Sequence, residues 1–316
     1  MAGQVVFYFT RTRFKQPDQT TKPGSRVRKG MQQMLRQKRA AAIHDISCFG
    51  KCSLTVALPV LSAAGIETAV IPTAVLSTHT GGFTDFTYRD LTADMRPIMA
   101  HWQSLALRFD AVYSGYLGSF EQVEIVRDFI KMFRTEETLV LVDPAMADGG
   151  KLYQTFEPPF VEEMKSLCAH ADLIVPNITE AAMLTGETYH EGPYQKAYIE
   201  RLLRGLLSLG ARQAVLTGVW FDERQYGAAG LGSGDRAPHY VFSPKVDGFY
   251  HGTGDIFASA LLAARMNGRS LEESARIAVD LTCGSILRTK AAGTDLRFGV
   301  NFEEGLPAFI RALGLL

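Results

Sequence analysis

The chain has 316 residues, 47% of them hydrophobic and 21% charged, which predicts a globular protein with one large core. Its 33 basic and 33 acidic residues are unevenly placed, because residues 1–40 hold ten lysines and arginines against Asp18 alone. The rest of the chain therefore has 23 basic and 32 acidic residues, a net charge of −9, which argues against nucleic-acid binding. No stretch approaches the roughly 18 apolar residues of a membrane span.

The basic segment, residues 1–40, is expected to be a flexible N-terminal extension or sequence translated from a mis-assigned start, with Met31 or Met34 as the true start. A transit-type segment is the alternative. The apolar stretch near its beginning is too short for a secretory signal peptide, and the charges follow it rather than precede it. We therefore expect a cytoplasmic protein whose single folded domain covers residues 41–316.

Four cysteines form no Cys-x-x-Cys pair: Cys48, Cys52, Cys168 and Cys283. The first two could be half of a zinc site, but no residues supply the other half. Reduced thiols in a cytoplasmic core are the expectation.

From residue 40 onward, short apolar runs alternate with helical patterns. Strands, some continuing into loops, are predicted at residues 39–47, 67–77, 111–119, 138–148, 172–176 and 213–220. Helices are predicted at residues 53–65, 90–107, 121–134, 158–171, 177–186, 194–210, 252–268 and 271–293. Residues 225–246 are rich in glycine and predict a hairpin and loop.

The strands lack a polar face, which is typical of a parallel sheet covered by helices on both sides. The chain is therefore predicted to be an α/β protein, a doubly wound sandwich with a mostly parallel central sheet. In such a sheet ligands bind at the carboxyl ends of the strands. Those positions are unusually polar here: Asp45, Ser47, Ser77–Thr80, Ser114–Tyr116, Asp143, Asn177, Glu180, Thr217 and Gly218.

The helix predicted from Gly252 begins with the sequence Gly-Thr-Gly-Asp. Two glycines within three residues indicate that a ligand approaches the main chain, and a helix N-terminus offers unpaired amides with a partial positive charge. Asp255 beside such an anion site can accept a proton from a hydroxyl that attacks phosphorus. The alternative is that Thr253 or Asp255 only caps the helix.

Two further acids, Asp143 and Glu180, each follow an apolar strand and should lie at the same edge of the sheet. Carboxylates there could bind Mg²⁺ directly or through water. The alternative is N-capping by Asn177 or Thr179, with Glu180 in the first helical turn. Residues 50–53 are no P-loop, because Asp45 stands where the motif needs its first glycine.

Five motifs occur in order along the chain: Ser77–Gly82, Ser114–Ser119, Val142–Asp148, Pro176–Glu180 and Gly252–Asp255. Together they resemble the pyridoxal kinases of the ribokinase-like superfamily, from about Ile43 to the C-terminus. The resemblance implies a three-layer ribokinase-like sandwich that uses ATP and Mg²⁺ to phosphorylate the 5′-hydroxymethyl group of pyridoxal, pyridoxamine or pyridoxine. It also implies a homodimer; dependence on K⁺, common among relatives, is not readable from these residues.

The resemblance implies roles position by position. Asp255 is expected to be the catalytic base, beside an anion hole formed by Gly252, Thr253 and Gly254. The metal-phosphate region is expected to contain Asp143 and Glu180. Expected ATP-binding residues are Asn177, Thr217, Val246 and Asp148. Expected substrate-binding residues are Asp45, Leu76, His79, Thr80 and Tyr116.

Two positions depart from the family pattern. Asp45 stands where several pyridoxal kinases have a serine, an arrangement closer to ribokinase-like sugar kinases, and Leu76 replaces an aromatic that often stacks on the substrate ring. Hydroxymethylpyrimidine kinases usually have a cysteine at the position of Asp255. A hydroxymethylpyrimidine kinase, a sugar kinase and a non-enzymatic B6 carrier are thus the alternatives, and the complete Gly-Thr-Gly-Asp turn argues against the carrier.

Overall fold

The computed structural model describes residues 36–316. Lys38–Leu316 forms one compact unit, and its first strand begins at Arg39. The expectations for residues 1–40, including a start at Met31 or Met34, fall almost wholly outside the described residues.

The central sheet has nine strands among the described residues. They are β1 (Arg39–Ser47), β2 (Glu67–Leu76), β3 (Tyr88–Asp90), β4 (Ala111–Ser114), β5 (Leu139–Val142), β8 (Leu173–Ile174), β9 (Gln213–Val219), β10 (Gln225–Gly232) and β11 (His239–Pro244). Their spatial order is β11-β10-β9-β8-β5-β4-β1-β2-β3. A separate hairpin consists of β6 (Ala147–Asp148) and β7 (Lys151–Leu152).

The six inner strands, from β9 to β2, pair in parallel, and the outer pairings with β3, β10 and β11 are antiparallel. All six inner strands therefore end at one edge of the sheet. The β1–β2 register shifts between His44 and Ile46, next to Asp45. This irregularity lies where the predicted ligand edge begins.

Helices connect the strands. They are α1 (Leu54–Ala63), α2 (Thr92–Ser104), α3 (Phe120–Phe133), α4 (Pro159–Cys168), α5 (Ile178–Thr185), α6 (Lys196–Ser208), α7 (Thr253–Met266), α8 (Leu271–Ala292) and α9 (Leu306–Ala312). Two short 3₁₀ segments, Leu296–Phe298 and Glu303–Gly305, separate the last two.

The core has two layers, one on each face of the sheet. Alternating strand residues serve the two layers: Val142 packs with α2 to α6, and its neighbour Leu141 packs with α1 and α7 to α9. The predicted sandwich with a mostly parallel sheet is confirmed, as is the hairpin at residues 225–246. Strand β3 and the β6–β7 hairpin were not predicted, because two or three residues are too few to show a periodicity.

Two further expectations concern the whole described region. No helix in residues 36–316 is long and apolar enough to cross a bilayer. All four cysteines are free, but only Cys168 is buried, so the expectation of core thiols holds for that residue alone.

Candidate active site

The first turn of α7 presents bare amides. Gly252 occupies the N-cap position with φ of 75°, and no side chain accepts a hydrogen bond from the turn. The Thr253 hydroxyl instead donates to the Tyr250 carbonyl, 3.2 Å away. The alternative that Thr253 or Asp255 serves as the helix cap is therefore wrong. The free amides and the helix dipole leave a site suited to an anion.

Asp255 lies in that turn and is partly buried. Its pKa is raised to about 7, chiefly by burial and in part by the negative charge of Asp45, while the backbone amide of Ser53 acts in the opposite direction. A carboxyl with a pKa near neutrality is well matched to accept a proton at physiological pH.

Asp45 lies near the end of β1 and is only 5% exposed. The Ser53 hydroxyl lies 2.5 Å from Oδ1, and the Ser47 hydroxyl lies 3.2 Å from Oδ2. Burial raises the pKa of Asp45, and these two hydroxyl groups oppose the increase. The negative charge of Asp45 also raises the pKa values of Asp255 and Tyr116, which places both residues within electrostatic range of it.

Asp143 follows β5, and its backbone amide donates to the Ser114 carbonyl at 2.9 Å. Burial raises the pKa of its carboxyl, and the charges of Glu180 and Asp255 raise it further. Within the described residues no protein donor binds this carboxylate. Its oxygens are therefore available to a cation or a proton.

Glu180 has a different environment, because its carboxylate accepts bonds from three backbone amides. Oε1 lies 3.0 Å from the Met146 nitrogen and 3.4 Å from that of Ala147, and Oε2 lies 2.9 Å from that of Asn177. The Asn177 side-chain oxygen in turn accepts a hydrogen bond from the Glu180 amide, which completes a capping box at α5. The capping alternative for Asn177 is thus confirmed, whereas the Thr179 hydroxyl accepts from the Gly150 amide instead.

Mg²⁺ typically binds one or two carboxylates together with water and phosphate oxygens. Residues 36–316 contain no group of three metal-ligating side chains. The open carboxylate of Asp143 fits a site completed by a nucleotide, whereas the Glu180 oxygens are already engaged with amides. The metal role of both acids stays a prediction.

The residues expected around ATP lie at the β8–β9 side of the edge. Asn177 and Thr217 form an isolated parallel bridge, and the Asn177 amide group donates to the Ala147 carbonyl at 2.7 Å. Asp148 is exposed on β6, and its charge acts on Glu180. Val246 is half-buried in the loop after β11, outside the Asn177–Thr217 bridge.

The expected substrate-binding residues differ in how much of each side chain is exposed and free to contact a ligand. Leu76 is 2% exposed at the end of β2, whereas Thr80 is exposed on the following loop. The Gly81 amide donates to His79 Nδ1, so the neutral ring has its proton on Nε2, which lies 2.6 Å from the Arg297 carbonyl. Both ring nitrogens of His79 are therefore occupied by the backbone. Only its ring surface is left for a substrate.

Tyr116 follows β4 and is partly buried. Its hydroxyl lies 3.2 Å from the Thr155 hydroxyl, and its ring centroid lies 5.6 Å from that of Phe156. The Thr155 hydroxyl and the Phe156 ring thus hold Tyr116 in place.

Three residues near the site were missed by the sequence analysis: Ser53, Tyr88 and His251. Tyr88 lies on β3, and its pKa is raised to about 12 by burial and by the charges of Tyr116, Asp90 and Asp45. The His251 ring centroid lies 5.0 Å from that of His79, which joins the β2–β3 loop to the α7 turn. His251 directly precedes the glycine motif and could have been found from it, whereas Ser53 and Tyr88 follow no pattern.

Three comparisons place these features among known proteins. A family model described as phosphomethylpyrimidine kinase matches residues 57–297. A pyridoxine/pyridoxal/pyridoxamine kinase of Bordetella avium is 29% identical over 235 residues, which cover 72% of this chain and 77% of that protein.

Two crystal structures are similar in fold and sequence. One is a Bacteroides thetaiotaomicron protein assigned as a phosphomethylpyrimidine kinase, in a form with pyridoxal; it has a TM-score of 0.82, 36% identity, and coverage of 87% of this chain and 96% of that one. The other is the pyridoxal kinase of Lactobacillus plantarum, with a TM-score of 0.80, 32% identity, and coverage of 87% and 98%.

The close contact between the α7 turn and the β1–α1 loop gives a first test. A Cβ at Gly252 would lie 1.9 Å from the Lys51 carbonyl oxygen, and the positive φ is itself unfavourable for alanine. We expect Gly252→Ala to lower the free energy of unfolding by about 1–3 kcal/mol in urea denaturation. Gly234→Ala, at a glycine with open space around it, is the control and should change it by less than about 0.5 kcal/mol. Equal stability of the two variants would contradict the close packing.

Proposed function

Because this chain belongs to the phosphomethylpyrimidine kinase family, we propose that it transfers the γ-phosphoryl group of ATP to the 5′-hydroxymethyl group of a B6 vitamer. The observation that carries the proposal is the position of Asp255, whose carboxyl lies in the first turn of α7 beside amides without a side-chain cap. A base and an anion site within one turn are what transfer of a phosphoryl group to an alcohol requires.

In the proposed reaction Asp255 accepts the proton of the substrate hydroxyl as its oxygen attacks the phosphorus. The amides of the predicted anion hole, Gly252, Thr253 and Gly254, donate to the oxygens of the transferred group and stabilise the charge that develops there. Asp45, held by Ser47 and Ser53, orients the ring of the acceptor by accepting a hydrogen bond from one of its polar groups.

The nucleotide would lie along the β5–β9 part of the edge, near Asn177, Thr217, Asp148 and Val246. Asp143 would bind Mg²⁺ directly, and Glu180 would hold the Met146–Ala147 backbone next to it. The metal ion, when bound, neutralises part of the phosphate charge. A homodimer in the cytoplasm stays our expectation from the family resemblance.

Two observations favour a B6 vitamer over hydroxymethylpyrimidine as the acceptor. Asp255 occupies the position where hydroxymethylpyrimidine kinases usually have a cysteine. The Bacteroides protein, although assigned as a phosphomethylpyrimidine kinase, was crystallised with pyridoxal.

A substrate panel tests the proposed function. We expect ATP-dependent release of ADP with pyridoxal, pyridoxamine or pyridoxine, at a kcat/KM at least about tenfold above that for hydroxymethylpyrimidine or ribose. The measurement is a coupled ADP assay with mass detection of the phosphorylated product. Turnover of hydroxymethylpyrimidine alone would assign the pyrimidine reaction instead, and binding of pyridoxal without ADP release would favour a carrier.

Replacement of the proposed base gives a sharper result. We expect Asp255→Ala to lower kcat by about 10²- to 10⁴-fold with little change in the dissociation constant of ATP, because the base acts on the acceptor hydroxyl and not on the nucleotide. Stopped-flow turnover and calorimetric titration of ATP measure the two quantities. A kcat within a factor of three of wild type would remove Asp255 from the mechanism.

The raised pKa of Asp255 predicts a pH dependence. The base must be ionised, so kcat/KM should increase by about tenfold per pH unit as pH rises towards about 7 and then level off. Because the charge of Asp45 raises this pKa, Asp45→Asn should move the acidic limb to lower pH, even though substrate binding weakens. A limb at the same pH in both proteins would contradict the electrostatic coupling of Asp45 to the titrating group.

A further inference from the structure

Ser53 occupies the N-cap position of α1, but its hydroxyl does not cap the helix. Serines at N-caps normally accept a hydrogen bond from an amide of the first turn. Ser119 does so at α3, and Ser270 does so at α8 within a capping box. The usual structural reason for a serine at this position is therefore absent at Ser53.

The Ser53 hydroxyl is instead directed at Asp45. Its oxygen lies 2.5 Å from Oδ1, and the residue is 6% exposed. An ionised carboxylate can only accept, so the hydroxyl is the donor. A short bond from a buried hydroxyl to a carboxylate is strong and fixes the orientation of the acid.

The backbone of Ser53 is also unusual. Its φ of 55° and ψ of −128° lie outside the regions that side-chain-bearing residues favour, whereas Ser119 and Ser270 are extended. Such conformations persist where surrounding structure enforces them, and they concentrate at functional sites. Two contacts hold the loop here. Ser53 forms an isolated β-bridge with Ile46, and the Lys51 carbonyl packs tightly against Gly252.

The same residue also reaches the second acid of the cleft. Its backbone amide acts on the carboxyl of Asp255 and favours the ionised form. Asp45 belongs to β1 and Asp255 to α7, which are far apart in sequence. Ser53 thus contacts the proposed substrate anchor through its side chain, and the loop that carries it packs against the α7 turn at Gly252, three residues before the proposed base.

We propose that Ser53 is a positioning residue that sets the carboxylate of Asp45 relative to Asp255, so that an acceptor bound to the first presents its hydroxyl to the second. The proposal rests on the proposed function in taking Asp45 as the acceptor anchor. Misplacement of a bound substrate by a fraction of an ångström is enough to lower turnover, so a residue that fixes the position of its anchor affects the rate.

Two variants separate positioning from stability. Ser53→Ala and Ser53→Gly both remove the hydroxyl and keep the amide, but glycine relieves the unfavourable backbone angles and alanine does not. We expect both to raise the KM of the acceptor by about tenfold, with the KM of ATP changed by less than about twofold. Their melting temperatures should differ, with the glycine variant the more stable.

Ser270→Ala is the matched control, since it removes a hydroxyl that does cap its helix. It should lower the melting temperature without changing either KM. The proposal is overturned if the acceptor KM of both Ser53 variants equals that of wild type, or if it changes only in the less stable variant.

A structural readout keeps the test independent of the substrate. Crystal structures of the wild type and of Ser53→Gly should differ at Asp45. In the variant we expect the Asp45 carboxylate to be rotated away from the position that it has in the wild type. An unchanged Asp45 in the variant overturns the proposal whatever the acceptor is. Failure of every vitamer in the substrate panel, with Asp45 displaced as expected, would instead contradict the proposed function alone.

Discussion

Four carboxyl groups gather at one edge of the sheet without a cationic side chain beside them, and the site depends on this arrangement. Within residues 36–316, none of Asp45, Asp143, Glu180 and Asp255 forms an ion pair. Burial of such groups is unfavourable unless hydrogen bonds replace water. Three amides do so for Glu180 and two hydroxyls for Asp45, whereas Asp143 has no protein donor in the described region. The carboxylates with the fewest hydrogen bonds from the protein are therefore those that can bind a metal ion or accept a substrate proton.

The lack of a cation also protects the basicity of Asp255. A lysine beside it would stabilise the ionised carboxylate and lower its pKa, which would make it a weaker base. Lys51, whose carbonyl oxygen packs against the α7 turn at Gly252, directs its ammonium group elsewhere, to Asn301 at 3.1 Å and to Glu303 at 3.0 Å. The phosphate charge is then left to backbone amides and to the metal ion, which stabilise an anion without forming an ion pair with the base.

Much of this arrangement could be predicted from the sequence, because it follows from rules that act along the chain. Apolar strands without a polar face give the parallel sheet, and residues after those strands, such as Asp143 and Asn177, must then meet at one edge. The environments of Ser53 and His79 could not be predicted in this way. Their partners, Asp45 and Arg297, are brought to them by loop conformations that no periodicity encodes. The sequence gives the residue types. Tertiary structure decides whether such a residue caps a helix, binds a carboxylate or contacts a backbone carbonyl.

The two helices that start at this edge on one face of the sheet share a further property. Both α1 and α7 begin without a side-chain cap, whereas α5, across the sheet, begins with the capping box of Asn177 and Glu180. An uncapped N-terminus keeps free amides and a partial positive charge, which is unfavourable for an isolated helix but useful beside carboxylates and phosphate. Ser53 shows that this is no lack of suitable residues, since a serine is present at the cap and bonds to Asp45 instead. Helices α2, α4, α6 and α9 also begin without a side-chain cap, so what distinguishes α1 and α7 is that they start beside Asp45 and Asp255. There the positive ends of the two helices supply the potential that lysines would otherwise supply.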